Sequence, residues 1–135
     1  MIGITFGAFD LTHAGHYTMF RECKKYCDWL IVAIQTDPSI DRPKKNKPIQ
    51  SILERQIQVG SCKWVNDTIV YETEKDLERI LQTLDLDVRI VGIDHKDGFF
   101  TGREICEKRG IKICYNTRDH DYSTSDLRKR VKNGI

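Results

Sequence analysis

The chain of 135 residues lacks several features that mark common protein classes. It contains neither G-x-G-x-x-G nor G-x-x-x-x-G-K-[ST], which excludes the ordinary dinucleotide-binding and P-loop signatures. No apolar run approaches the roughly 20 residues that a membrane span needs. Met1 leads directly into a predicted strand, with no signal-peptide pattern before it. These absences predict a cytoplasmic protein without a membrane span.

Charge of one sign and paired cysteines are also scarce. The chain has 22 basic and 20 acidic residues, and the formal net charge of +2 is too small to indicate binding to nucleic acid or an anionic membrane surface. The 5 cysteines include no C-x-x-C, which predicts reduced, mostly buried thiols rather than a disulfide framework or a zinc site. The length predicts one domain, residues 1–135, with a proper hydrophobic core.

What the chain does contain is a regular alternation of apolar runs and helical patterns. The strand candidates are Ile2–Phe6, Trp29–Gln35, Thr68–Tyr71, Val88–Val91 and Lys112–Tyr115. The helix candidates are Gly15–Cys27, Ser51–Cys62, Lys75–Leu84, Thr101–Arg109 and Ser123–Lys132. This alternation predicts an α/β fold with one doubly wound, Rossmann-like sheet of about five parallel strands and helices on both faces. Ligands of such a sheet bind at the carboxyl ends of the strands.

The most informative segment is the turn between the first strand and the first helix, which reads Gly7-Ala8-Phe9-Asp10-Leu11-Thr12-His13-Ala14-Gly15-His16. His13 and His16 are three positions apart, so in a first helical turn they share one face. A helix N-terminus attracts phosphate, and two imidazoles donate hydrogen bonds to phosphoryl oxygens as charge develops on them. The alternative is a structural turn with a helix-capping histidine.

A second anion-binding pattern lies near the end of the chain. Arg118 and a short polar loop follow the last predicted strand, and the hydroxyls of Ser123, Thr124 and Ser125 then begin a helix. A capped helix N-terminus offers N–H groups and hydroxyls to an anion, and the arginine offsets phosphate charge. An ordinary capped helix is the alternative here.

Two further segments follow predicted strands at their carboxyl ends. Residues 36–50 carry Arg42, Lys44, Lys45 and Lys47, and a basic loop in this position favours contact with a triphosphate over the alternative of a solvated charged loop. Asp94, after the fourth strand, suits a hydrogen bond to a base, a ribose or a neighbouring histidine, or else a turn or capping role.

These segments together resemble the cytidylyltransferases of the H-x-G-H nucleotidyltransferase superfamily. Residues 7–16 are similar to the first family motif, and Arg118 with Ser123, Thr124 and Ser125 matches R-T-x-G-[IV]-S-T-[TS]. Relatives also carry a glycine followed two positions later by an aspartate, as Asp94 is here, and an arginine on the helix after the basic loop, where this chain has Arg55.

The resemblance implies a set of site residues. The implied catalytic residues are His13, His16, Lys44 and Arg118. The implied nucleotide-binding residues are Gly7, Ala8, Phe9, Asp10, His13, Gly15, His16, Lys63, Asp94, Arg118, Ser123, Thr124 and Ser125. The implied residues for the acceptor substrate are Lys44, Lys47, Arg55 and Lys75.

The resemblance also implies the reaction. A substrate phosphate attacks the α-phosphorus of CTP and releases pyrophosphate, with Mg²⁺ carried on the triphosphate oxygens and no metal held by the protein. The length and the overall sequence are most similar to those of family members that use glycerol 3-phosphate as acceptor. Those members make CDP-glycerol for teichoic acid precursors and work as homodimers. Open alternatives are phosphocholine, phosphoethanolamine or a sugar phosphate as acceptor, ATP as nucleotide, and a non-catalytic nucleotide-binding module on the same fold.

Overall fold

A computed structural model describes residues 1–117 and 122–134 of the chain. Its sheet has five parallel strands, which are β1 (Ile2–Gly7), β2 (Trp29–Gln35), β3 (Asp67–Tyr71), β4 (Val88–Gly92) and β5 (Lys112–Asn116). The strand order is β3-β2-β1-β4-β5. The predicted α/β class and parallel sheet are confirmed, and each strand matches its predicted range to within one residue at either end.

Helices alternate with the strands as predicted. They are α1 (Ala14–Cys23), α2 (Pro38–Asp41), α3 (Ile52–Gly60), α4 (Glu74–Thr83), α5 (Arg103–Arg109) and α6 (Thr124–Gly134), with a 3-10 turn at Ile93–His95. The sequence does not predict α2, a single turn that Asp37 caps. Helix α5 starts two residues later than predicted because Gly102 takes a left-handed conformation with φ of 86°. Within the described ranges, no helix combines the length and apolar composition needed to cross a membrane.

The sheet is covered on both faces. Side chains of α1 and α3, among them Phe20 and Val59, pack on one face against alternate residues of β2 and β4. Leu77 and Leu81 of α4 and Cys106 of α5 pack on the other face. Both faces of the inner strands are therefore buried, which is why these strands read as nearly continuous apolar runs.

Strand β1 lies at the centre of the sheet, and its two edges are paired to different extents. Its pairing with β2 runs the whole strand, from Ile2 opposite Trp29 to Gly7 opposite Ile34. Its pairing with β4 is limited to Gly3 opposite Val88 and Ile4 opposite Arg89. Beyond these residues the carboxyl ends of β1 and β4 separate, and the space between them belongs to a cavity.

Helix α4 begins with a capping box that makes stability depend on pH. The Thr73 hydroxyl accepts a hydrogen bond from the Asp76 amide at 3.1 Å, and the Asp76 carboxylate accepts from the amides of Thr73 and Glu72 at 3.1 and 3.2 Å. The bond from the Thr73 amide, with the others, lowers the pKa of Asp76 below its ordinary value of 3.8. A carboxylate with a lowered pKa contributes stability that is complete above the ordinary pKa and is lost as pH falls through the lowered one.

We therefore expect Asp76→Asn to have a lower Tm than the unaltered protein near neutral pH, and this gap in Tm to close on acidification below pH 3.8. Calorimetry of both proteins across that range measures the gap. Asp97→Asn, in an exposed turn, is the matched control and should leave Tm nearly unchanged. A gap of constant size at every pH would contradict the assignment to the carboxylate.

Candidate functional site

The carboxyl ends of β1 and β4 open into a cavity of about 710 Å³. It lies at the topological switch point of the sheet, where doubly wound folds bind their ligands, and its volume is typical of small-molecule sites. The predicted site residues that line it are Gly7, Ala8, His13, Gly15, His16, Asp94, Ser123 and Thr124. The cavity therefore brings together residues from both ends of the chain.

The two histidines form the capping box of α1. Nδ1 of His13 accepts a hydrogen bond from the Gly15 amide at 3.0 Å, and Nδ1 of His16 accepts from the His13 amide at 3.2 Å. The ring centroids are 4.2 Å apart, which confirms that both side chains lie on one face. Because each Nδ1 accepts a backbone N–H, each neutral imidazole carries its proton on Nε2. The capping role and the donor role are thus compatible.

The capping box also changes which groups of α1 are suited to bind an anion. The sequence predicts that backbone amides at this helix start bind phosphate directly. In the structure, the Gly15 amide donates to the His13 ring and the His16 amide donates to the His13 carbonyl at 3.0 Å. These amides already have acceptors, so the imidazole Nε2–H groups are the better candidates for contact with phosphate.

The loop before α1 is strained and is held from outside. Phe9 and Leu11 have φ of 50° and 49°, a region that non-glycine residues adopt at a cost. The Asp10 carboxylate accepts hydrogen bonds from the amides of Ile49 and Gln50, both at 2.9 Å, and the Gln50 side chain accepts from the Leu11 amide at 2.8 Å. Asp10 and Phe9, predicted to bind nucleotide, here shape the loop from outside the cavity lining.

Arg55 of α3 lies beneath this loop with 1% of its surface exposed. Its Nη1 donates to the carbonyls of Ala8 at 2.9 Å and Gln35 at 2.6 Å, its Nη2 to Thr36 at 2.7 Å, and its Nε to Gln50 at 3.2 Å. The sequence predicts that Arg55 binds the acceptor phosphate. In the structure its donors are instead committed to backbone carbonyls.

The basic loop after β2 contributes two cations to the cavity, but not the two that the sequence singles out. Arg42 and Lys45 line the cavity, whereas the predicted Lys44 and Lys47 are exposed outside its lining. Lys75, on the first turn of α4, is also exposed outside the lining. Contacts of these three lysines with a substrate remain predictions.

Lys63 lies at the opposite end of the strands from the cavity. It follows α3, with its Nζ 4.9 Å from the centre of the Trp64 ring. The nearby Asn66 amide donates to the carbonyl of Leu30, at the amino-terminal end of β2. Helix α3 starts at the cavity edge of the sheet and runs away from it, so a residue beyond its end is carried to the other edge. The structure does not support the predicted contact of Lys63 with nucleotide.

The start of α6 forms one end of the cavity. Ser123 and Thr124, two of the residues predicted to bind nucleotide, line it, and the Ser123 hydroxyl accepts a hydrogen bond from the Asp126 amide at 3.0 Å, which confirms a helix cap. Ser125 is exposed outside the lining. Arg118 lies outside the described residues, and its catalytic role remains a prediction.

A polar cluster on the α4 side of the cavity was not predicted from the sequence. Arg89 of β4 is 5% exposed and lines the cavity. Glu74 accepts a hydrogen bond from the Thr101 hydroxyl at 3.3 Å and lies 3.6 Å from Nε of Arg42. The available signal was a charged residue inside the apolar run Val88–Val91, since a buried parallel strand rarely carries one without a reason.

Sequence comparison relates the chain to known proteins. Residues 4–130 match the family described as Cytidylyltransferase-like. An FAD synthase of Aciduliprofundum boonei is 35% identical over 90% of this chain and 79% of its own length. Bifunctional protein HldE of Paramagnetospirillum magneticum is 29% identical over 96% of this chain, which spans 27% of that protein.

Structural comparison agrees with the sequence match. A lipopolysaccharide core biosynthesis protein from Thermoplasma volcanium superposes with a TM-score of 0.69 at 26% identity, over 91% of this chain and 98% of that one. Pantothenate synthetase from Thermus thermophilus, at 9% identity and a TM-score of 0.58 over 86% of this chain and 54% of that one, shares the fold. With the family match across residues 4–130, the chain belongs to the cytidylyltransferase-like family of nucleotidyltransferases.

Proposed function

We propose that the protein transfers a nucleotidyl group from a nucleoside triphosphate to the phosphate of a small acceptor. An acceptor phosphate oxygen attacks the α-phosphorus, the bond to the β-phosphate oxygen breaks, and pyrophosphate leaves. The observation that carries this proposal is the pair of imidazoles at the switch point, whose Nδ1 atoms are both occupied by backbone amides. Two Nε2–H donors at a cavity of this size suit a phosphoryl group that gains charge.

The reaction asks little covalent chemistry of the protein. A phosphate monoester is already nucleophilic, so the site has to align two polyanions and neutralise developing charge. His13 and His16 serve the α-phosphate in this proposal, and Arg42 and Lys45 supply positive charge from the loop after β2. The family motif assigns a further positive charge to Arg118.

CTP and glycerol 3-phosphate are the substrates that we propose first, and their support is the resemblance of the two end motifs. Adenylyl transfer from ATP is the second candidate. It is favoured by the 35% identity with an FAD synthase, since FAD contains an adenylyl group joined to a flavin phosphate. A phosphorylated acceptor is common to both reactions.

We propose that Mg²⁺ enters with the triphosphate. No cluster of three or more His, Cys, Asp or Glu side chains suited to a metal ion occurs within residues 1–117 and 122–134. The Asp10 carboxylate, which lies nearest the motif histidines in sequence, already accepts two backbone amides. Triphosphate oxygens are the ligands that Mg²⁺ prefers.

A cytoplasmic homodimer is proposed on the same resemblance. Leu53 and Ile57 lie four residues apart on α3 and are 63% and 59% exposed, so a second copy would cover apolar surface there. We expect sedimentation equilibrium to give twice the chain mass of 15.7 kDa. A monomer mass at concentrations used for assay would contradict the dimer without affecting the proposed reaction.

The proposed function is tested by pyrophosphate release in the presence of Mg²⁺. CTP and ATP are offered in turn with glycerol 3-phosphate, a sugar phosphate, phosphocholine, phosphoethanolamine and FMN. We expect release that depends on both CTP and glycerol 3-phosphate. Release that requires ATP and does not occur with CTP would replace CTP by ATP as the proposed nucleotide. No release with any pair of nucleotide and acceptor would overturn the enzymatic proposal.

A further inference from the structure

The wall of the cavity on the α4 and α5 side contains a buried cation, Arg89, whose nearby carboxylate, Glu74, acts on its charge without forming an ion pair with it. We call this wall the Arg89 subsite, and it consists of Phe6, Tyr71, Glu74, Arg89, Phe100 and Thr101, all of which line the cavity. Arg89 is 5% exposed, and among the described residues no carboxylate lies within ion-pair distance of its guanidinium. Its Nε has no hydrogen-bond partner among those residues. A buried charge in this state interacts strongly with any charge or dipole that enters the cavity beside it.

The surrounding residues hold the Arg89 guanidinium in place. The rings of Phe6 and Phe100 both lie with their centres 5.0 Å from its Cζ, and its Nη1 donates to the Thr101 carbonyl. Gly102 leaves room for it, since a Cβ there would lie 3.1 Å from Nη1 on a backbone with φ of +86°. Arg89 is therefore an organised part of the cavity wall.

The subsite also offers hydrogen-bonding groups of both kinds. Oε1 of Glu74 accepts from the Thr101 hydroxyl, while its buried Oε2 has no partner among the described residues. Burial raises the pKa of Tyr71, so its hydroxyl stays protonated near neutral pH and is able to donate. Buried donors and acceptors that lack partners are costly, and a ligand that supplies both removes the cost. A hydroxyl group both donates and accepts, so a ligand with several hydroxyls fits this wall.

The same wall is unsuited to a cationic ligand. A quaternary ammonium group is bound by open aromatic faces or by free carboxylates. Here the faces of Phe6 and Phe100 are occupied by the Arg89 guanidinium. Oε2 of Glu74 can still accept a hydrogen bond, but the charge of this carboxylate is already offset by Arg42, whose Nε lies 3.6 Å from Oε1. A second cation at this place meets two guanidinium groups in a partly desolvated cavity.

We infer that the Arg89 subsite binds the non-reacting end of the acceptor, and that this end carries hydroxyl groups rather than an ammonium group. The acceptor is then a phosphorylated polyol or sugar, and Arg89 is the residue that excludes aminoalcohol phosphates. The inference rests on the proposed function, because it assigns this wall to the acceptor. This assignment leaves the opposite end of the cavity, lined by Asp94, Ser123 and Thr124, for the nucleotide.

Calorimetric binding tests this inference without relying on turnover. Glycerol 3-phosphate, a hexose 6-phosphate and phosphocholine are titrated into the unaltered protein and into Arg89→Met. We expect the unaltered protein to bind at least one of the two hydroxylated phosphates roughly tenfold or more tightly than phosphocholine, the scale of a hydrogen bond to a charged group. In Arg89→Met this ratio should approach one, while the Kd for CTP is unchanged.

Two further variants keep the result interpretable. Arg103→Met is the matched control, because the Arg103 guanidinium also lies over the Phe100 ring, at 5.4 Å, but is not part of the cavity lining. It should keep the preference of the unaltered protein. Glu74→Gln, a change of similar size at the partly buried first position of α4, should weaken binding of the hydroxylated phosphate and leave the fold intact even if Arg89→Met fails to fold.

The outcomes separate this inference from the proposed function. Phosphocholine binding equal to or tighter than that of both hydroxylated phosphates overturns the inference, as does a preference that survives both Arg89→Met and Glu74→Gln. Pyrophosphate release with phosphocholine as readily as with glycerol 3-phosphate also overturns it, while the enzymatic proposal stands. The protein could instead bind a hydroxylated phosphate selectively, in a way that depends on Arg89, without releasing pyrophosphate. That result would support the Arg89 subsite and overturn the proposed nucleotidyl transfer.

Discussion

His13→Asn should lower turnover by a factor of about 10² or more while changing the free energy of unfolding by less than about 0.5 kcal/mol. Asparagine is among the best N-cap residues, so its side-chain oxygen replaces Nδ1 of His13 as the acceptor for the Gly15 amide. It has no counterpart to the Nε2–H that the proposed mechanism assigns to the transferring phosphoryl group. Pyrophosphate release and urea unfolding, measured on one preparation, separate the two roles.

Two companion variants complete this test. His13→Ala removes both functions, so it should lose turnover to the same extent and also about 1 kcal/mol of stability. His16→Gln keeps a capping-box acceptor for the His13 amide, because glutamine is a usual residue at that position, and should lose turnover alone. If His13→Asn turned over like the unaltered protein, His13 would be a helix cap and nothing more.

Arg55→Met should destabilise the protein by about 3 kcal/mol or more. The change leaves the carbonyls of Ala8, Gln35 and Thr36 without the donors that now satisfy them. It also frees the strained loop at Phe9, whose conformation persists only because the surroundings fix it. Urea unfolding monitored by circular dichroism measures the loss.

Arg79→Met is the control for the loss of an arginine as such. Arg79 makes an exposed pair with Asp76 on α4, at 3.2 Å, and its removal should cost less than about 0.5 kcal/mol. The opposite result is equally informative. An Arg55→Met protein of full stability that no longer binds glycerol 3-phosphate would restore the phosphate-binding role that the sequence suggests for Arg55.

The sheet was predictable from the sequence because its strands are buried on both faces. A continuous apolar run of strand length, such as Trp29–Gln35, is typical of a parallel strand that is buried on both faces. Helix ends were less predictable, since they depend on single turns. Helix α1 ends at Cys23, whereas the apolar pattern continues for four more residues to Cys27. Helix α2 is a single turn, which is too short to show a helical repeat of apolar residues.

The candidate site was predictable where spacing along one turn fixes geometry, as for His13 and His16. It was not predictable where the role of a residue depends on how deeply its side chain is buried or on which edge of the sheet it lies. Arg55 lies on α3 and Lys63 shortly after its end, yet the fold places one beneath the motif loop and the other at the far edge of the sheet. Arg89 escaped notice because a single charge in an apolar strand reveals nothing about the rings that enclose it.

The short pairing between β1 and β4 has a consequence for how the molecule responds to its ligands. In the described part of the chain, the ladder between the half of the sheet formed by β3, β2 and β1 and the half formed by β4 and β5 consists of Gly3 and Ile4 paired with β4, extended at its start by the bond from the Asp87 amide to the Ile2 carbonyl. A ligand in the cavity would contact residues of both β1 and β4 and would therefore stabilise the two halves of the sheet against separation where their pairing is shortest. Amide hydrogen exchange along β1 and β4 should therefore slow on ligand binding more than exchange along the fully paired β2, even though β2 lies next to β1.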